Sequence, residues 1–205
     1  MDIKIVVTQE EHYQYAETIC NTIEISAKLR GTGIAKRTPD YILQKMQSKD
    51  AIIALVNNEF AGFCYIESWE HAKFVAHSGL IVHPKYRNLG LAKKIKSKVF
   101  DYSLRKYPNA KVFGITTGLP VMKINSDLGY KPVPFSELTT DPSFWKGCKT
   151  CTNYEILKSK DNKMCLCTGM LYDPKEKQKI PPKHPFNLKV LNRLKKIKEA
   201  LFLKK

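Results

Sequence analysis

Leu80-Ile81-Val82-His83-Pro84-Lys85-Tyr86-Arg87-Asn88-Leu89-Gly90-Leu91-Ala92 reads as a strand that ends at Val82, a loop, and a helix that opens near Gly90. Gly90 and Ala92 remove side-chain bulk where the backbone turns into the helix. The first N–H groups of a helix have no acceptor within it, and the positive end of the helix dipole lies behind them. Such a turn suits an anion, and here a pyrophosphate. The Lys-Ser/Thr pair of a P-loop and the three-glycine pattern of a dinucleotide fold are both absent, so neither is supported.

Working outward, Leu91 to Lys106 is helical, with Ala92, Ile95, Val99 and Tyr102 spaced 3-4-3. Lys111 to Thr116 reads as a strand, Pro120 to Leu128 as a short helix closed by Gly129, and Val133 to Leu138 as a last strand. Upstream, Lys73 to Val82, Phe60 to Ser68 and Ala51 to Val56 form a meander. Asn57-Asn58 supplies its first hairpin turn. Before it stand a first strand at residues 3 to 7, a helix from Thr8 to Leu29, and a second helix capped by Thr38 with Pro39 in its first turn. Three strands at hairpin distance require antiparallel pairing, and the strand-helix-strand unit from 74 to 116 requires a parallel crossover. The expected fold is α/β: a mixed, largely antiparallel sheet with helices on both faces.

With these elements in register, the sequence resembles the GCN5-related N-acetyltransferase (GNAT) superfamily. Its signature is a strand ending Leu-x-Val-x-Pro, then Tyr-Arg, then Gln/Arg-x-x-Gly-x-Gly/Ala opening a helix. Leu80, Val82, Pro84, Tyr86, Arg87, Gly90 and Ala92 match it, and Leu128-Gly129-Tyr130 matches a second block. The resemblance covers residues 1 to 140. It implies acyl transfer from acetyl-CoA to a primary amine, by direct attack with both substrates bound. The backbone of Arg87, Asn88, Leu89, Gly90, Leu91 and Ala92 would hold the pyrophosphate, with charge from Arg87 and Lys93. The backbone of Leu80 and Val82 would pair with the pantetheine arm. The Leu80 N–H would meet the thioester oxygen.

Two departures affect the catalytic residues. Where many members carry a tyrosine that protonates the leaving thiolate, this chain has Asn125, which can hydrogen-bond sulfur but not supply a proton. Where members often place a base on the strand, it has Ala76, followed by Ser78. Glu67 and then His71 are the candidate bases. His77 lies on the strand with parity opposite to Ala76, Ser78, Leu80 and Val82, so it is expected to face away.

The acceptor pocket is expected at Arg30-Gly31-Thr32-Gly33-Ile34-Ala35-Lys36-Arg37-Thr38, where Arg30, Lys36 and Arg37 would suit a carboxylate. This loop and Met122-Lys123-Ile124-Asn125-Ser126-Asp127-Leu128-Gly129-Tyr130 are similar to a Bacteroidetes subgroup associated with arginine biosynthesis. That implies glutamate or another acidic amino acid as acceptor. The alternative is a catalytically degenerate acyl-CoA sensor or scaffold of the same fold.

The chain has 205 residues and a net charge of +16, of which +9 falls between Pro174 and Lys205. Its longest apolar run, Ala51 to Val56, is far short of a bilayer span, and no basic region precedes a long apolar one at the N-terminus. A cytoplasmic protein is expected, with a small-molecule amine as partner, no nucleic acid and a homodimer left open. Cys148-x2-Cys151 and Cys165-x-Cys167 bracket 13 residues and could surround a structural Zn²⁺. The expected organisation is an acyltransferase domain at 1–140, a Cys-rich C-terminal extension at 141–173 and a basic tail at 174–205. In the tail, Asn187 can cap a helix striped by Val190, Leu194, Ile197 and Leu201.

Overall fold

Two asparagines set the first hairpin. Asn57 and Asn58 take φ of 50° and 63°, the left-handed conformation that a two-residue hairpin turn requires and asparagine tolerates. They join β2 (Ala51–Val56) to β3 (Glu59–Trp69), with Val56 opposite Glu59. β1 (Ile3–Val7) pairs antiparallel with the far side of β2, and β4 (Phe74–Val82) pairs antiparallel with β3. Helix α3 (Leu91–Lys106) then crosses over to β5 (Lys111–Thr116), which runs parallel to β4. The fold is the mixed, largely antiparallel sheet that the element order implies.

This computed structural model describes residues 1–30, without the Arg30 side chain, and 36–176. Loop residues 31–35 and the tail from 177, with the helix expected after Asn187, lie outside the described residues. Met1–Pro174 forms one compact unit, and no described helix is long and apolar enough to cross a membrane.

The segment expected as one helix from Thr8 divides into a 3₁₀ turn at Glu10–Tyr15 and α1 (Ala16–Arg30). Thr38 caps α2 (Pro39–Gln47): its Oγ1 accepts from the Tyr41 N–H at 3.3 Å. These two helices bury Ile19, Ile23, Ile42 and Met46 against Ile53, Phe63, Tyr65 and Ile81 on one face of the sheet. On the opposite face α3 buries Leu91, Ile95 and Val99 against Ile52, Cys64, Ile66 and Val75. Burial of each such side chain contributes roughly 1.5–3 kcal/mol.

The far edge differs from expectation. After α4 (Leu119–Asp127), β6 is only Lys131–Val133, and Phe135–Glu137 is a 3₁₀ turn rather than strand. Pro134 has no N–H to give to a ladder, so pairing stops before it. Two short helices follow, α5 (Pro142–Lys146) and α6 (Tyr154–Ser159), and then β7 (Thr168–Tyr172). β7 lies between β5 and β6, antiparallel to both, which gives the order β1-β2-β3-β4-β5-β7-β6. Trp145, Leu157 and Leu171 share a core with Phe74, Ala76 and Phe113. The Cys-rich segment is thus continuous with the sheet through its last strand.

One irregularity shapes the centre. Phe63 faces Ile81, but Tyr65 faces Ser78, so Gly79 and Leu80 stand opposite the single residue Cys64. Gly79 takes φ of 65° to make this bulge. The extra residue inverts the alternation along β4. His77 therefore shares the α3 face with Leu80 and Val82, which corrects the parity expected from the sequence. β5 pairs with β4 only along Phe74–Ala76, and beyond Ala76 the two strands part.

Candidate active site

A cavity of about 610 Å³ opens where β4 and β5 separate, within the range of small-molecule sites. Its floor is the backbone of Ala76 to Leu80 and the end of β5 from Gly114 to Thr116. A Cβ at Gly114 would stand 3.4 Å from the His77 carbonyl oxygen, at the edge of ordinary van der Waals contact. Val121 and Asn125 of α4 form one wall, and Arg37, Tyr41 and Glu67 form another.

The turn into α3 lies at the end of β4. Asn88 and Gly90 take φ of 66° and 71°, and the first helical bond runs from the Lys94 N–H to the Gly90 carbonyl at 3.2 Å. The N–H groups of Leu91, Ala92 and Lys93 thus precede the ladder at the positive end of a 16-residue helix. Tyr86 donates to the Glu59 carboxylate, and Lys85 reaches the same oxygen at 2.6 Å, which ties the loop to β3. Those two donors hold the Glu59 carboxyl below its ordinary range.

The acidic and basic groups of the second wall are mutually engaged. Arg37 Nε donates to the Tyr65 hydroxyl at 2.6 Å, and its guanidinium lies over the Tyr41 ring, 5.6 Å from the centroid. Tyr41 donates to Glu67 Oε1, and Lys45 Nζ lies 3.4 Å from the same oxygen. Burial raises the Tyr41 phenol well above its ordinary value, with Tyr65 and Glu67 adding to the effect.

Residues 36–116 match the model of the Acetyltransferase (GNAT) family. This is a GNAT fold. N-acetylglutamate synthase from Neisseria gonorrhoeae, solved with coenzyme A and N-acetyl-glutamate, superposes with a TM-score of 0.60 at 11% identity. The match covers 84% of this chain and 35% of that one, so the chain spans about a third of the synthase's length. YncA from Salmonella typhimurium, solved with its cofactor acetyl-CoA, has a TM-score of 0.57 at 15% identity, covering 85% and 95%. Rv2747 from Mycobacterium tuberculosis, solved in complex with CoA, has a TM-score of 0.60 at 12% identity, covering 83% and 98%. No curated protein matches the chain in sequence.

Within this GNAT fold the expected site residues fall into distinct places. Leu80, Asn125, Glu67, Lys36 and Arg37 all line the cavity. Arg87 to Gly90 are exposed on the loop, where Arg87 Nη2 donates to Ser26 Oγ at 3.1 Å. Leu91 contributes only its N–H, since its side chain is in the core. Lys93 pairs with Asp127 at 3.0 Å but is 68% exposed, and such a pair holds it weakly. Val82 packs against the α3 core. His71 sits exposed in the β3–β4 turn and does not line the cavity. Arg30 closes α1, and its side chain lies outside the described residues.

The four cysteines of the far segment are free thiols that line the same cavity. Among the described residues, no group of three or more His, Cys, Asp or Glu is placed to hold a metal ion, so the expected four-thiolate zinc site is not formed. Burial and neighbouring thiols push Cys148 up to about 11 and Cys167 up to about 12. With Cys165 they pack as partly buried apolar groups against the core that holds Phe74 and Trp145.

A buried polar cluster behind Leu80 was not expected. Ser103 Oγ donates to the Val99 carbonyl at 2.8 Å, so its lone pair accepts from His77 Nε2 at 2.8 Å. That leaves His77 Nδ1 as the acceptor for Lys96 Nζ at 2.9 Å and the Tyr130 hydroxyl at 3.0 Å. Burial, reinforced by Lys96, drives His77 well below its ordinary range, consistent with this neutral form. The sequence carried one signal: Lys96 and Ser103 each stand four residues after a member of the apolar stripe of α3, Ala92 and Val99. Asn125 Oδ1 and Trp69 Nε1 are buried without a hydrogen-bond partner, and both residues face the cavity.

Lys96 carries a measurable cost. Burial lowers its ammonium from 10.5 to about 8, a difference corresponding to about 3 kcal/mol. Because the folded value lies below the unfolded one, the full cost applies below pH 8 and fades as pH rises to 10.5. Lys96→Met should therefore raise Tm near neutral pH, by an amount that shrinks between pH 8 and 10.5. Thermal unfolding followed across that range checks it, and a gain independent of pH would contradict it.

Proposed function

We propose that this protein is an acetyl-CoA-dependent N-acetyltransferase whose acceptor is the primary amine of a carboxylate-bearing molecule, glutamate or another acidic amino acid. The observation that carries the reading is the cavity at the parting of β4 and β5, continuous with a bulge at Leu80 and followed by the open N-terminus of α3. The pyrophosphate binds the N–H groups from Arg87 to Ala92, and Arg87 and Lys93 add positive charge. The pantetheine arm runs along the Leu80 and Val82 backbone where β5 no longer pairs. The thioester oxygen takes the Leu80 N–H, which stabilises the tetrahedral oxyanion.

The acceptor enters beside Arg37, whose guanidinium takes the carboxylate. Lys36 extends the positive field of this mouth. Glu67 receives a proton from the acceptor ammonium, directly or through water, and so frees the amine to attack. Its engagement with Lys45 and Tyr41 fixes its position at the cavity wall. Asn125 faces the leaving sulfur. The acidic acceptor agrees with the resemblance to arginine-biosynthesis enzymes and with the product bound in the Neisseria synthase.

Release of free CoA across a panel of amino acids, amines and peptides tests the reading. Acidic amino acids should react best, and equal rates with amines lacking a carboxylate would remove the acceptor assignment. Arg37→Ala should raise the acceptor KM by about 10- to 100-fold, the loss of a charged hydrogen bond worth roughly 1.5–3 kcal/mol, and leave the KM for acetyl-CoA nearly unchanged. Glu67→Gln keeps the shape and removes the basicity. An unaltered rate and pH profile in that variant would show that Glu67 is not the base.

A further inference from the structure

We infer that the buried Lys96 ammonium receives the leaving sulfur, pairing with the CoA thiolate and handing it a proton. The inference rests on the acetyl-CoA reading above. Lys96 is 2% exposed, yet it lines the cavity together with Leu80 and Asn125. Among the described residues its surroundings hold no anion. Cys64 faces it from β3, His77 from β4 and Tyr130 from the segment after α4. Burial pushes the Cys64 thiol up to about 11 and raises the Tyr130 phenol well above its ordinary value, so both are neutral, as is His77. Among the described residues no carboxylate forms an ion pair with Lys96.

A buried charge without a counter-ion is costly, and its presence at a cavity fits an anion that arrives during the reaction. The support behind it is fixed. Ser103 sets the His77 tautomer, and Nδ1 then holds the ammonium at 2.9 Å while the Tyr130 ring covers it at 5.1 Å. Asn125, 1% exposed and with an unpartnered Oδ1, can hydrogen-bond sulfur but has no proton to give. Lys96 has one, and its affinity of about 8 is close to that of a thiol.

The step balances. The amine nitrogen bonds to the carbonyl carbon, the C–S bond breaks with its electron pair on sulfur, and sulfur takes the Lys96 proton. The acceptor ammonium loses two protons, the first to Glu67 before attack and the second from nitrogen as the amide forms; both reach solvent, and solvent returns one to Lys96.

The test begins with CoA binding by calorimetry. The thiol of bound CoA is then titrated by its ultraviolet thiolate absorbance, in the parent and in Lys96→Met. The parent should make the bound thiol about ten-fold or more acidic than free CoA, the effect of an adjacent opposite charge, and Lys96→Met should lose that shift. In CoA release the parent's rate should fall as pH rises through about 8, and a slower Lys96→Met should lack that limb. A parent that binds CoA with an unshifted thiol overturns the inference, whatever the variant does. So does a folded variant that shifts the thiol as far as the parent. Failure of the parent to bind CoA at all overturns the acetyl-CoA reading itself, a different outcome in the first measurement.

Discussion

Gly90→Glu is expected to weaken CoA binding by about 100-fold or more, roughly 3 kcal/mol. A Cβ at Gly90 meets no atom within 4 Å, so the new side chain has open space to enter. That space adjoins the turn into α3, ahead of the first helical bond. A carboxylate is favoured there by the same dipole and donors that would hold a phosphate. It would both repel the pyrophosphate and occupy its place. The backbone contributes separately, because φ of 71° costs an L-residue about 1–2 kcal/mol. Gly90→Ala carries that strain without the charge, so it should bind CoA within a few-fold of the parent. Calorimetry on both folded variants separates the two effects. Parent-like affinity in Gly90→Glu would take the α3 turn out of the site.

Much of this architecture is legible in the residues because its signals are local. The Asn57-Asn58 turn needs a left-handed backbone, and Thr38-Pro39 needs a helix start; both are found. The strand-loop-helix from Leu80 to Ala92 is likewise self-contained. β7 was not legible, because five residues after a run of cysteines carry too little periodicity to declare a strand, and its place between β5 and β6 is set by distant partners. The bulge escaped for a related reason. Strand alternation assumes one residue per step, and one inserted residue at Gly79 and Leu80 inverts every inference beyond it. His77 was placed on the wrong face on that ground. Lys96 was hidden by its type, since a lysine on an amphipathic helix ordinarily faces water. The paired cysteine spacing suggested a metal, yet the chain folds those thiols into a cavity wall.

The bulge also carries the second large effect. Gly79→Val is expected to lower stability by about 3–4 kcal/mol and to impair acceptor binding in whatever protein remains folded. The backbone at φ of 65° would cost a β-branched residue about 1–2 kcal/mol. A Cβ there would also stand 2.6 Å from Tyr65 Cε1 and 2.9 Å from Cδ1, closer than atoms can approach. Overpacking of that kind typically costs about 1–3 kcal/mol. The Tyr65 ring has little room to yield, being fully buried between β3 and the α1–α2 layer. If it moves, its hydroxyl leaves Arg37 Nε, now 2.6 Å away, and the guanidinium loses its fixed position at the cavity. For a unit of this size the midpoint should fall by roughly 2–4 °C per kcal/mol, or about 10 °C in all. Gly114→Ala is the comparison on the other side of the parting strands. Its Cβ would meet only the His77 carbonyl at 3.4 Å, with no positive φ, so its loss should be several-fold smaller. Equal melting of the two variants would mean that the Gly79 conformation does not hold the bulge. A normal acceptor KM in soluble Gly79→Val would break the proposed link from bulge through Tyr65 to Arg37.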